Sequence, residues 1–283
     1  GGDRAGGAGV PREAGGLMVT TLVVSRLSPG RVGAVINRNV GALRSGPSYW
    51  VVLLSGFFEP LLYLLSIGVG VGALIGELTV DGRTMSYASF VAPAMLAVSA
   101  MSGALAETTF NFFFKLKYMK TFEAVLATPV RPVEVAVGEL VWAIVRGSVY
   151  TAIFLVVMVA MGLTEAGWAV AAFPATVLVG LAFGGLGMAV STLMRGWQDF
   201  DLLSTGQFAL FLFSGTFSPV RDYPVGVEVL IQVTPLYHAV ELVRGLCMGV
   251  PGWGLLGHAL YLTVLAAAGV WFASRRLERT LCA

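Results

Sequence analysis

Side chains able to do chemistry are few in this chain, so their placement carries information. His238 and His258 are its only histidines. His238 and Glu241 stand three apart and would share a helix face, the start of a metal-binding or acid–base pair. Cys247 and Cys282 are the only cysteines, and no further donor falls at metal-ligand spacing. No serine or cysteine has a base at the spacing of a known nucleophilic motif. A phosphate-cradling loop needs Gly-Lys followed by Ser or Thr. None of the three lysines, Lys115, Lys117 and Lys120, follows a glycine. The chain therefore reads as no enzyme, without a bound cofactor or nucleotide site of its own. Any ATP-driven work would come from a partner.

A second set of charges lies inside apolar runs: Glu59, Glu107, Glu139 and Arg146. Ionisable groups in lipid are costly unless paired or facing water. Glu139 and Arg146 are seven apart, two turns along one helix face, and Glu107 can reach Arg146 or a nearby basic stretch. They read either as a polar lining or gating ion pair, or as a neutralised helix contact near the cytoplasmic interface. Asp199, Asp201, Ser204, Thr205, Gln207, Ser214 and Thr216 give another apolar run a hydroxyl and amide face. Such a face suits a translocation path and suits hydrogen bonding between helices equally.

The elements that must hold these residues are membrane helices. The chain is 57% hydrophobic and 12% charged, with a mean hydropathy of +0.82. Apolar runs of 20 or more residues span a bilayer at about 1.5 Å per residue. Six spans are expected, at about 49–75, 87–110, 135–163, 168–193, 200–217 and 255–272. They form one all-α bundle over 18–283, after a glycine-rich leader at 1–17. Arg26 to Ser45 precedes the first span. Val32, Val35, Ile36, Val40 and Leu43 fall on one helical face there, with Arg31, Asn37, Arg38 and Arg44 largely off it, the pattern of an amphipathic helix lying in the membrane surface. Gly180, Gly184 and Gly187 suit close helix contact in lipid. Ser218 to Gly254 is too polar for a span, yet holds apolar stretches at Val225–Val233 and Tyr237–Met248. These read as re-entrant or interfacial helices carrying His238, Glu241 and Arg244.

Orientation follows from basic residues. Arg26, Arg31, Arg38, Arg44, Lys115, Lys117, Lys120, Arg131, Arg195, Arg275, Arg276 and Arg279 fall on the face bearing both termini. Only Arg83, Arg221 and Arg244 fall on the other. Positive residues stay inside, so both termini are expected in the cytoplasm of a bacterial inner membrane. The net charge of +2 is too small to suggest nucleic acid. Between spans 2 and 3 lies a cytoplasmic stretch, Lys115 to Glu139. It contains a short amphipathic helix, Thr121 to Thr128, stopped by Pro129 and Pro132.

Four segments carry a resemblance: Phe58-Glu59-Pro60-Leu61-Leu62-Tyr63-Leu64, Thr121-Phe122-Glu123-Ala124-Val125-Leu126-Ala127-Thr128-Pro129, Phe213-Ser214-Gly215-Thr216-Phe217-Ser218-Pro219, and Pro235-Leu236-Tyr237-His238-Ala239-Val240-Glu241-Leu242-Val243-Arg244-Gly245. In this order and spacing the chain resembles the membrane subunit of ABC-2 type ATP-binding-cassette exporters, in the branch of NodJ-like nodulation-factor and daunorubicin-type drug exporters. The resemblance implies an N-terminal interfacial helix, six spans, a coupling helix between spans 2 and 3, and external re-entrant helices. It implies two ATPase subunits, which bind ATP and Mg, and a second copy of this permease or a close paralogue. Phe122 and Leu126 would then anchor in a groove of the ATPase, with Lys117, Lys120, Thr121, Glu123 and Pro129 around them. Glu59, Glu107, Arg146, Ser204, Gln207 and Ser214 are the candidates for path or gate, with spans 1, 2 and 5 as its walls. The implied cargo is a lipid-linked or lipid-modified oligosaccharide or a hydrophobic drug. The alternative is a transporter or channel driven by an ion gradient, which predicts paired broken helices and midplane carboxylates.

Overall fold

The computed structural model describes residues 28–45, 58, 61–80 and 82–281. Arg26, Glu59 and Cys282, singled out above, lie outside the described residues, as does the leader. Helix α1 (Pro29–Arg44) comes first. A π-helical segment (Leu64–Val71) runs into α2 (Gly72–Ile75). Strands β1 (Glu77–Val80) and β2 (Arg83–Ser86) pair antiparallel, Glu77 opposite Ser86 and Val80 opposite Arg83. This hairpin joins the first two expected spans, so the fold is helical with one small β element among the described residues.

Helix α3 (Tyr87–Leu105) continues through a π-helical segment (Ala106–Asn111) into α4 (Phe112–Lys117), then short α5 (Thr121–Leu126). Next come α6 (Pro132–Ala160), α7 (Ala166–Ser191) and α8 (Gln198–Leu212). After a 3-10 turn at Val220–Asp222 follow α9 (Val225–Val233), α10 (Pro235–Cys247) and α11 (Trp253–Leu281).

Among the described residues four helices are long and apolar enough to cross a membrane: Tyr87–Lys117, Pro132–Ala160, Ala166–Ser191 and Trp253–Arg279. The first is the central post, with 83% of its most apolar stretch buried, against 11% for the last. Small residues allow this. Ala and Ser let α3 touch neighbours on every side, and α7 crosses α11 where Gly185 meets Gly269. A Cβ on Gly185 would fall 2.9 Å from the Ala266 carbonyl oxygen. The expected fifth span is instead α8, 15 residues long, or about 22 Å at 1.5 Å per residue. Phe211 is the one residue it buries, while Leu202 and Phe208 stand exposed.

Candidate functional site

The cytoplasmic station is built where α1, α4, α5 and the start of α6 meet. Pro132 opens α6 at a position where its missing N–H costs nothing, and Glu134 closes the turn by accepting from the Arg131 backbone N–H at 2.9 Å. The same carboxylate accepts from the Ser28 N–H at 3.1 Å and pairs with Arg31 at 3.6 Å, tying down the start of α1. One turn on, Glu139 receives Arg38 Nη2 at 2.6 Å and Lys115 Nζ at 2.7 Å, and Lys115 also donates to Asn39 Oδ1 at 3.0 Å. Glu134, Glu139 and Asn39 are buried. Between these clamps α1 lies directly on α6. A Cβ on Gly138 would sit 2.8 Å from Val35 Cβ.

Lys120 makes the corner into α5 with φ 49, an unusual left-handed backbone for a residue with a side chain. Phe122 then turns inward, fully buried against Phe112 at 5.0 Å between ring centroids, in a cluster with Leu116, Val135, Ala136 and Leu277. This corrects the sequence expectation for Phe122. It anchors α5 to its own chain and is not presented to a partner. The outward face carries Glu123, Ala124, Ala127, Thr128 and Pro129, flanked by exposed Lys117 and Lys120, with Thr121 half-buried. Lys120 and Glu123 form a loose exposed pair at 3.7 Å. Only the backbone of Leu126 is described.

The in-span charges sort differently from their spacing. Glu107 lies in the π-helical segment and pairs with Arg146 of α6, whose Nε donates to Tyr150 Oη at 2.5 Å. Glu139 belongs to the α1 clamp. Thr108 and Thr109 donate to the carbonyls of Ala104 and Leu105 at 2.8 and 2.6 Å, satisfying groups in the widened turn. π-helical turns inside helices often mark functional positions, and this one holds the buried ion pair.

Gln207 and Ser204 of α8 face α3. Gln207 Nε2 donates to Ser102 Oγ at 2.9 Å. Both line a cavity of about 220 Å³ with Tyr63, Val98, Met101 and Phe211, so segments of spans 1, 2 and 5 meet around one space. Ser214 is not in it. That residue is fully buried and its hydroxyl donates to the Leu210 carbonyl. Asp199 accepts from the N–H groups of Arg195 and Gly196 at 2.6 and 3.3 Å. These bonds hold its carboxyl below the usual range.

On the opposite end, Arg244 of α10 is buried. It donates to Glu241 and to the Gly215 carbonyl, each at 2.7 Å, and lies 4.0 Å over the Phe90 ring. Glu241 is therefore an ion-pair partner. Among the described residues no three His, Cys, Asp or Glu gather as a metal site. His238 instead meets His258. Burial pushes the Cys247 thiol up to about 12.

Residues 33–248 match the ABC-2 type transporter family. The chain is 33% identical over 230 residues to Nodulation protein J of Rhizobium leguminosarum bv. trifolii, covering 81% of this chain and 86% of that one. It is 28% identical over 232 residues to Nodulation protein J of Neorhizobium galegae, covering 80% and 87%. A probable multidrug ABC transporter permease, YbhR of Escherichia coli, is 22% identical over 198 residues, covering 68% and 54%.

Proposed function

The chain belongs to the ABC-2 type transporter family, and from that premise we propose that it is the membrane-spanning permease subunit of an ATP-driven exporter, worked by a separate ATP-binding-cassette ATPase. Family membership supports a membrane setting and an ATP-binding-cassette partner. The finer reading is two permease copies with two ATPases, six spans and both termini in the cytoplasm of the inner membrane. The geometry of α5 is the observation that carries it. A six-residue helix is fixed by one buried phenylalanine and projects a small, polar outer face beside Lys117 and Lys120. That is a surface built to be pushed.

The cavity around Gln207 supports a path walled by spans 1, 2 and 5. The bare apolar face of α8 supports a second permease copy packing there, since an exposed apolar surface of this kind marks lipid or a partner. The cargo is read as amphipathic or hydrophobic, a lipid-linked or lipid-modified oligosaccharide or a drug-like molecule. The aromatics Tyr63, Phe208 and Phe211 suit either.

The test is purification of the tagged protein in mild detergent with mass spectrometry of what accompanies it. A stoichiometric P-loop ATPase, lost in an Ala124→Trp variant that still inserts and folds, is the expected result. A protein that purifies alone and moves a solute on an ion gradient would overturn the reading.

A further inference from the structure

Helices α10 and α11 are joined by four rings. His238 Nδ1 lies 2.7 Å from His258 Nδ1. Tyr261 stacks on His238 with centroids 3.9 Å apart and planes 19° from parallel. Tyr237 stands edge-on to both histidines, at 5.6 and 5.8 Å. The end of α9 is drawn in as well. Tyr261 Oη donates to the Val233 carbonyl at 2.9 Å. Both histidines are half-buried. The proposed transport reading uses neither.

Two imidazole nitrogens this close need one proton between them, one ring donating and the other accepting. The accepting ring then carries its own hydrogen on Nε2, and the donating ring has a bare Nε2. A first added proton goes to that bare Nε2, which keeps the contact and makes it charge-assisted. A second proton has only the accepting ring's Nδ1 left. It sets two N–H groups and two positive charges face to face, and the contact breaks. The ionisable groups around the pair are Tyr237 and Glu241 on α10, Tyr261 on α11 and Glu228 on α9, with Arg221 and Arg244 acting on Tyr237. Glu241 is tied to Arg244 at 2.7 Å.

We propose that His238 and His258 form a proton-sensitive latch that fastens α10 and the end of α9 to α11, closed by one shared proton and released by double protonation. Burial and the neighbouring His258 hold His238 below the ordinary histidine value of about 6.5. The folded latch thus favours neutral His238. Its contribution is complete above about pH 6.5 and is lost as pH falls through the lower folded value. Release would free α9 and α10 to move relative to the last membrane helix. The inference does not depend on which side of the membrane these helices face.

Because the chain has two histidines, full-length protein in detergent with only histidine labelled by ¹⁵N reports on these two rings alone. The expected spectrum at about pH 8 has one ring protonated at Nδ1, the other at Nε2, and a coupling through the hydrogen bond. Towards about pH 5 the coupling should vanish as the two rings titrate in linked steps. Spin labels at Gln232→Cys and Leu260→Cys, with Cys247 and Cys282 replaced by serine, read the opening. Their distance should be narrow at the higher pH and broad at the lower. In His258→Gln, whose amide oxygen can accept from charged His238, it should stay narrow at both. Two independent titrations without coupling at any pH, or a label distance unchanged by pH in the native latch, would overturn the proposal.

Discussion

Replacing Phe122 by alanine should free α5 while leaving the bundle intact. Six residues cannot sustain a helix alone, since isolated helices shorter than about 12–15 residues are marginal. Lys120 contributes no capping side-chain bond and holds the strained corner. What fixes α5 is Phe122, fully buried against Phe112, Leu116 and Leu277. Removing a buried phenyl ring costs about 3–5 kcal/mol. The lower end applies here, because a short surface helix can settle into the space. About 3 kcal/mol raises the undocked population about 100-fold. Hydrogen–deuterium exchange by mass spectrometry should therefore show residues 121–128 exchanging about 100-fold faster, with α6 and α11 unchanged. The permease reading adds that the cognate ATPase would still hydrolyse ATP but no longer drive transport. Unchanged exchange over 121–128 would refute the anchor. Acceleration spread across α6 and α11 would show instead that the ring belongs to the stability of the whole bundle.

Three further perturbations test the rest of the station and the cavity. Glu139→Gln removes the carboxylate shared by Arg38 and Lys115. Breaking a fully buried pair costs about 3–5 kcal/mol, but Arg38 is 30% and Lys115 19% exposed, so a loss of about 1–2 kcal/mol is expected. Limited proteolysis should then find α1 cut first. Gly138→Ala drives a Cβ into Val35 and should destabilise by about 1–3 kcal/mol in thermal unfolding; Val35→Ala in the same chain should recover most of it. Gln207→Leu breaks the bond to Ser102 and should change melting by no more than about 1 kcal/mol. Transport of cargo should nevertheless fall several-fold in reconstituted vesicles.

Where hydrophobic length decided an element, the sequence was sufficient. Four expected spans stand as long apolar helices, and the helix after span 2 begins at Thr121 and closes at Leu126, ahead of the prolines expected to stop it. Periodicity also placed Val35 on the inner face of α1. What the pattern could not give was partner choice. Glu139 and Arg146 share a helix face at seven apart, yet their partners come from α1, α4 and the π-helical turn, which no single-helix period reveals. The resemblance makes Phe122 a docking residue, and sequence cannot say whether the apolar side of so short a helix meets its own chain or another. The hairpin has its own signal in the sequence, an Asp-Gly dipeptide between two short β-prone runs, and Gly82 adopts φ 76. His258 and His238 are 20 residues apart and meet only through the packing of α10 on α11.

The distribution of packing bears on how a push at α5 would travel. Phe122 rests on Phe112, and one turn beyond lies Lys115, bound to Glu139. Displacing α5 therefore loads α4 and α6 together, with α1 carried along through Arg38. Upward from α4 the load meets the π-helical turn and the Glu107–Arg146 pair, which again joins the post to α6. The post itself is enclosed by α6, α7 and α10, and close-packed interiors transmit strain without absorbing it. These helices should therefore move as one piece. The element least bound to them is α8, which buries Phe211 and holds α3 through Gln207. Relative motion is thus expected between α8 and the post, across the cavity that Gln207 and Ser102 share. A cysteine pair at Ser204 and Met101, oxidised to a disulfide, should stop transport by pinning that boundary. The same cross-link placed between α7 and α11, which already cross at Gly185 and Gly269, should not.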